Sequence, residues 1–362
     1  MVKEGAEADL GDVAAMNLSA YNGGIVMSDR RSLEELEDFI EERVEEDMFS
    51  GAVLIAKEDA PFFKKAYGLA SKRFGATNRV DTKFNIGSLN KMFTQVAIAQ
   101  LAEKGRVEYD VPIKGYLPDY PPDVASKVNI DHLLNFTSGM GHYWNERFYA
   151  IMGRLRRVDD FVSLFVDEPL AFEPGERYQY SNNGYVLLGK IVEAVSRTNY
   201  YDYIRENIYE PAGMKDSDHY ELDAPVPNLA TGYTRIDEQW RPVPGPRRSN
   251  LFIIGVKGSP AGGGYSTVED LLRFDIALRE NRLLGPDYTS TTFPTKPKED
   301  GKPNVMIRAG GAPGVSAFFQ KFPDFGYTAI VLSNYDPDDS KVVADRIRDL
   351  VLGTSSSLGR WR

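Results

Sequence analysis

The sequence has no cysteine, only three histidines and only three tryptophans among 362 residues. Without cysteine there can be no disulfide, no thiolate zinc site and no cysteine nucleophile. His132, His142 and His219 show no metal-ligand spacing, so neither a metal nor a cofactor is expected. There is also no G-x-S-x-G, which disfavours a Ser-His-Asp α/β-hydrolase. Positive charge is in short supply as well. The 43 Lys and Arg against 53 Asp and Glu leave a net charge of -10, which argues against nucleic acid or an anionic membrane surface as partner. No apolar run approaches the length of a membrane span, and the opening MVKEGAEADLGDVAAMNLSAYNGG lacks the cationic head and apolar stretch of a signal peptide. The chain as given therefore reads as soluble, either cytoplasmic or the mature form of an exported protein. Nothing in the pattern specifies an oligomer.

What is present is a globular composition, 42% hydrophobic, with room for a sizeable core and two lobes. From Ser32, SLEELEDFIEERVEED sets Leu33, Leu36, Ile40 and Val44 on one helical face, with Ser32 and Glu35 as a capping box. FSGAVLIAKEDAPFFKKAYGLA reads as two antiparallel strands turning at Glu58 to Pro61. From Gly105 to about Pro246 the text becomes loops and helices with proline clusters and no sustained alternation. β character returns in VSAFFQKFPDFGYTAIVLSN, around a PDFG turn, and SKVVADRIRDLVLG is an amphipathic terminal helix. The predicted fold is α/β of the α+β type, an antiparallel sheet flanked by helices with a mainly helical second lobe. Residues 1–31 form an N-terminal extension, 32–107 with 299–362 the α/β lobe, and 108–298 the helical lobe.

The chemistry centres on FNIGSLNKMFTQVAIAQL, residues 84–101. A serine hydroxyl is a weak nucleophile until a base takes its proton. Lys91 stands three residues after Ser88, on the same face of a helix, and the helix N-terminus with partial burial would favour its neutral form. Ser88 to Lys91 is the one S-x-x-K in the chain, and the residues after it are apolar all round, as in a buried helix. Read alone, the pair can equally be a cap and a solvated side chain. A third group must carry the proton to the leaving atom, and a tyrosine beside cations can do so as a phenolate. Two Y-x-N triplets exist. Tyr180-Ser181-Asn182 feeds a helix through Val186, Leu187, Ile191 and Val192, whereas Tyr143-Trp144-Asn145 reads as packing. AGGGYSTVED lacks the lysine of a phosphate loop, and Ser266 with Glu269 reads as a capping box.

Taken together, FSGAVLIA, DTKFNIGSLNKMFT, VNIDHLLNFTSGM, PGERYQYSNNGYVLLG, SPAGGGYSTVEDLLRF, RAGGAPG and TAIVLSN, in that order from Phe49 to Asn334, resemble the serine β-lactamase and penicillin-binding superfamily. The likeness is to its class C-like branch of D-Ala-D-Ala peptidases, esterases and D-aminopeptidases. The resemblance implies a β-lactamase/transpeptidase-like fold with the site between the lobes. It implies Ser88 as the acylated nucleophile, Lys91 as its proton partner, Tyr180 as general base and acid, and Asn182 as a contact to the substrate's acyl side chain. The Ser88 and Gly311 backbone N-H groups would form the oxyanion hole, with glycine-rich AGGAPG, including Gly310, allowing close approach.

Two departures stand out against that pattern. Phe136 occupies a position where relatives often have His, and reads as packing. The third motif, usually Lys or His, a small residue and Gly, is Arg308-Ala309-Gly310. A guanidinium stays protonated, so it cannot exchange a proton with Tyr180, but its fork can bind a carboxylate. The implied activity is a serine hydrolase that cleaves small-molecule esters, amides or peptides, with a carboxylesterase-like or amidase reading preferred. A β-lactamase, a D-Ala-D-Ala-type carboxypeptidase or a D-aminopeptidase is the alternative, and a non-catalytic binding protein is the alternative of another class.

Overall fold

The computed structural model describes residues 30–237, 240–293 and 303–354. The expected extension up to residue 29 lies outside the described residues, as do 299–302 and 355–362 of the expected α/β lobe. Helix α1 (Arg30–Glu45) buries Leu36 and Ile40, with Leu33 and Val44 packed beside them, on the face that the spacing predicts. Its start needs a correction. Arg30 and Arg31 are already helical, so Ser32 is an interior residue and not an N-cap; Glu35 pairs with Arg31 at 3.1 Å instead of closing a capping box.

Strands β1 (Gly51–Lys57) and β2 (Ala60–Tyr67) are antiparallel, and Glu58 and Asp59 between them take φ of 45° and 74°. Two successive positive φ values give a turn whose twist matches that of the strands. β1 is a continuous apolar run because both of its faces are covered: Ala52, Leu54 and Ala56 enter one core, Val53 and Ile55 another. The first core is shared with helix α2 (Lys91–Glu103), which is buried along nearly its whole circumference.

Between residues 105 and 246 the chain is helical and looped, its longest helix being α3 (Asn182–Ser196). It is not free of strands, since Tyr233–Thr234 pairs with Arg248–Ser249; a two-residue ladder is too short to leave an alternation in the sequence. The next long helix, α4 (Val268–Arg279), corrects the second capping box. Thr267, not Ser266, accepts the Asp270 N-H at 3.1 Å, because Ser266 is spent in a strand pair with Phe84 and its hydroxyl meets that of Ser217.

Strands β3 (Met306–Ala312), β4 (Val315–Phe322) and β5 (Tyr327–Ser333) complete one sheet in the order β2-β1-β5-β4-β3, every neighbour antiparallel. Gly51 pairs with Ser333, so the first and last thirds of the chain meet at the centre of the sheet. Helix α5 (Pro337–Leu352) ends at Gly353 with φ 65°, and with α1 covers the second core through Val343, Ala344, Ile347 and Val351. The fold is thus an antiparallel sheet with helices on both faces. β3 is one of its two edge strands, and the Ser88 turn lies against it. Among the described residues, no helix is long and apolar enough to cross a membrane.

Candidate active site

Ser88 lies on a single 3₁₀ turn, Gly87–Asn90, that runs directly into α2. Residues three apart eclipse in such a turn, and Lys91 Nζ reaches back to Ser88 Oγ at 3.3 Å. Lys91 is 6% exposed, and a buried lysine needs acceptors. It has Asn182 Oδ1 at 2.8 Å and the Ala261 carbonyl at 2.6 Å, and its Nζ lies 4.7 Å from the ring centre of Tyr180 and 5.3 Å from that of Tyr185. Ring faces at that range attract a cation.

The Tyr180 hydroxyl donates to Ser88 Oγ at 2.8 Å. Ser181 caps α3, its Oγ accepting the Gly184 N-H at 3.0 Å, which makes Asn182 the first helical residue and aims its amide at Lys91. The structure therefore links Tyr180, Ser88, Lys91 and Asn182, in that order, in one run of hydrogen bonds. Phe136 belongs with them. Its backbone is left-handed, φ 59°, and its ring lies 4.7 Å from Tyr180 and 5.3 Å from Tyr185, so what reads as packing is packing on Tyr180 itself.

On the opposite side Ser88 meets backbone. A Cβ at Gly310 would come within 2.1 Å of the Ile86 carbonyl and 2.7 Å of Ser88 N, and one at Gly87 within 2.7 Å of Gly311 N. No side chain fits between β3 and the Ser88 turn, so glycine is required there. Arg308 sits two residues earlier, on the face of β3 that Met306 turns to the first core, while Ile307 and Ala309 face the second. Burial pulls its guanidinium below the ordinary value, and the nearby Tyr185 opposes that. Among the described residues no carboxylate pairs with Arg308, whose Nη1 donates to the Ile307 carbonyl at 3.4 Å.

The remaining candidates separate cleanly. Tyr143 is buried with its hydroxyl 3.0 Å from Ser259 Oγ, and His132 closes a capping box with Asn129. The His142 ring stacks on Tyr180 at 5.9 Å, and His219 is buried against Tyr200 and Tyr201. Among the described residues no group of His, Asp and Glu could hold a metal ion. The segment read as merely structural, AGGGYSTVED, supplies Ala261 to Lys91. Asn90 Nδ2 bonds the Ser259 carbonyl at 3.2 Å and Thr94 Oγ1 the Pro260 carbonyl at 2.7 Å, so the Ser88 turn and the first turn of α2 hold the residues that lead into that segment. A carbonyl acceptor leaves no mark in a sequence, though polar Asn90 and Thr94 inside a buried helix are a signal that something binds them.

Comparison with known proteins matches residues 36–353 to the family Beta-lactamase. The chain is 28% identical over 333 residues to penicillin-binding protein 4* of Bacillus subtilis (strain 168), covering 84% of this chain and 72% of that one. It is 28% identical over 284 residues to Esterase EstB of Burkholderia gladioli, covering 70% and 71%. Among solved structures, a penicillin binding protein from Bacillus halodurans aligns with TM-score 0.74 and 31% identity over 85% of this chain and 98% of that one.

Proposed function

The chain belongs to the Beta-lactamase family of serine hydrolases, and from that premise we propose that it forms an acyl-enzyme on Ser88 and cleaves small esters or amides in a carboxylesterase-like reaction. The observation that carries the reading is the position of Ser88 Oγ, 2.8 Å from the Tyr180 hydroxyl and 3.3 Å from Lys91 Nζ, with its backbone pressed against Gly310. As Oγ attacks the substrate carbonyl carbon, its proton passes to the Tyr180 oxygen, whose anionic form Lys91 stabilises as an ammonium, because the acceptors around Nζ favour the charged form over the neutral one that the sequence suggests. Charge then builds on the carbonyl oxygen, which the Ser88 and Gly311 N-H groups receive. When the tetrahedral intermediate collapses, Tyr180 returns the proton to the departing alkoxide or amine. Water repeats the sequence to release the acid.

Arg308 is the reason for preferring acidic substrates within this class. Its fork carries a permanent charge and, among the described residues, no carboxylate partner, and it lies close enough to Tyr185 for each to influence the other. A substrate carboxylate near the scissile bond would complete it. A second reading, β-lactamase or D-Ala-type peptidase, draws on the likeness to penicillin-binding protein 4* and uses Arg308 in the same way.

Intact-mass measurement after exposure to a fluorophosphonate and, separately, to a penicillin tests both. A single fluorophosphonate adduct mapping to Ser88 is expected, lost in Ser88→Ala. An adduct on another serine would sink the acyl-enzyme reading. A long-lived or rapidly turned-over penicilloyl adduct would move the assignment to the second reading.

A further inference from the structure

An oxyanion contact made of backbone needs support, because β3 is an edge strand and ends two residues after Gly310 in the turn to β4. The described structure shows where that support comes from. Gly314, in this turn at φ 70°, donates its N-H to Asp336 Oδ1 at 2.8 Å. The other oxygen of the same carboxylate accepts the Arg235 N-H at 2.8 Å and Arg247 Nη1 at 2.9 Å. The next residue, Pro337, backs the strand itself, since a Cβ at Gly311 would meet Pro337 Cγ at 2.8 Å. Asn250 Nδ2 holds the Pro313 carbonyl at 2.9 Å.

Arg247 is unusually enclosed for an arginine. Its side chain is 2% exposed, its Nη2 bonds Asp339 at 2.5 Å and the Asp47 carbonyl at 3.1 Å, and its guanidinium lies 4.0 Å from the Tyr335 ring centre. Burying an ion pair is an inefficient way to gain stability, because apolar replacements of the same volume do as well or better. What a carboxylate with four lone-pair directions can do, and an apolar residue cannot, is fix several donors in one place. Here the donors come from two parts of the chain, the β3–β4 turn through Gly314 and a second stretch through Arg235 and Arg247, and Arg247 in turn donates to the Asp47 carbonyl just after α1.

We propose that Asp336, held by Arg247, is a positioning residue that keeps the Gly311 N-H directed at the oxyanion site beside Ser88. The proposal rests on the reading that Ser88 and Gly311 supply those donors. The carboxylate locks the Pro313–Gly314 turn, Pro337 blocks retreat of Gly311, and the spacing to the Ser88 turn is thereby set. Misplacing reacting groups by about 1 Å costs on the order of a hundredfold in rate, and losing one oxyanion donor costs as much.

The test compares Asp336→Asn, which drops the charge but keeps an oxygen for Gly314, with Asp336→Glu, which keeps the charge but moves it outward by one methylene. Asp339→Asn, which touches Arg247 but not the turn, is the control. Steady-state ester hydrolysis and the rate of fluorophosphonate labelling at Ser88 are measured on folded protein. Asp336→Glu is expected to lower kcat and the labelling rate about tenfold to a hundredfold with KM within about threefold, Asp336→Asn to lie between it and the wild type, and Asp339→Asn to stay within about threefold. Should Asp336→Asn fail to fold, Asp336→Glu decides alone. Wild-type kcat and labelling in Asp336→Glu, or an equal drop in Asp339→Asn, overturns the positioning role. If the wild-type chain labels elsewhere than Ser88, it is the acyl-enzyme reading that falls, and this inference falls with it.

Discussion

The two sides of Ser88 are built on opposite plans. On the helical side the contacts are side chains: Lys91, Tyr180 and Asn182, backed by the rings of Phe136 and Tyr185. On the sheet side the contacts are backbone, and the design feature is the missing Cβ at Gly310 and Gly87. Side chains can swing, relay protons and partly substitute for one another. Backbone in van der Waals contact can only fit or not fit. Damage on the sheet side should therefore be larger and less graded than damage on the helical side.

The sharpest way to break that comparison is Gly310→Ala set against the relay mutants. The new methyl would overlap the Ile86 carbonyl at 2.1 Å, an atom that cannot step aside without moving the Ser88 turn. Turnover should fall by about a thousandfold, the scale of losing oxyanion donors. Lys91→Ala and Tyr180→Phe should each cost about a hundredfold, and on the proposed shared proton path the double mutant should fall far short of the product. Steady-state kinetics on one ester compares all four proteins. A Gly310→Ala milder than Tyr180→Phe would reverse the ordering, and additive relay losses would mean that Lys91 and Tyr180 act apart.

Arg308 sharpens the comparison because it is a charged side chain on the sheet side, on β3 two residues before Gly310. A charge-assisted bond to a carboxylate is worth roughly 1.5 to 3 kcal/mol, so Arg308→Ala should raise KM about tenfold to a hundredfold for an ester carrying a free carboxylate. A methyl-capped analogue should be nearly unaffected. If both esters lose turnover alike, Arg308 serves the ring cluster of Tyr180 and Tyr185 and does not read the substrate.

The same division explains what was legible in the sequence. Ser88 and Lys91 are three residues apart, and Tyr180 and Asn182 flank a cap, so local spacing announces the helical side. The hairpin at Glu58 and the PDFG turn were legible for the same reason. Helix starts were less so: Ser32 lies inside α1 and Ser266 lies in a strand pair, because a neighbouring residue or a tertiary contact took the role that local pattern offered them. The Ala261 carbonyl carries no signal of its own, and only the buried polar Asn90 and Thr94 hint that a segment docks there. Asp336 and Arg247 are 89 residues apart, and nothing local to either marks it as a partner of the other. Phe136 shows a third kind of gap, since its residue type suggests packing but not the left-handed backbone that turns its ring onto Tyr180.

The smallest expected effect concerns what lies behind the helical side. His219 is buried against Tyr200 and Tyr201, beneath the segment that carries Ala261. Burial, with Lys257 and Arg205 adding repulsion, pulls its imidazole down to about 3 from 6.5. The folded chain therefore holds His219 neutral, whereas the unfolded chain binds a proton there once the pH falls below about 6.5. Stability from this group is complete above that value and declines as the pH drops, by about 1.4 kcal/mol per unit, or about 2 kcal/mol between pH 6.5 and 5. Asp339 works in the opposite direction, since burial raises it to about 6 from 3.8 and the folded state then gains stability as that carboxyl takes up its proton. The wild-type curve alone would blend the two, so the measurement is a difference. Urea unfolding of the wild type and His219→Leu at pH 6.5 and 5 should show the variant gaining about 2 kcal/mol on the wild type at the lower pH. Parallel curves would mean that His219 keeps an ordinary proton affinity in the folded state, and that the helical side owes none of its acid sensitivity to this ring.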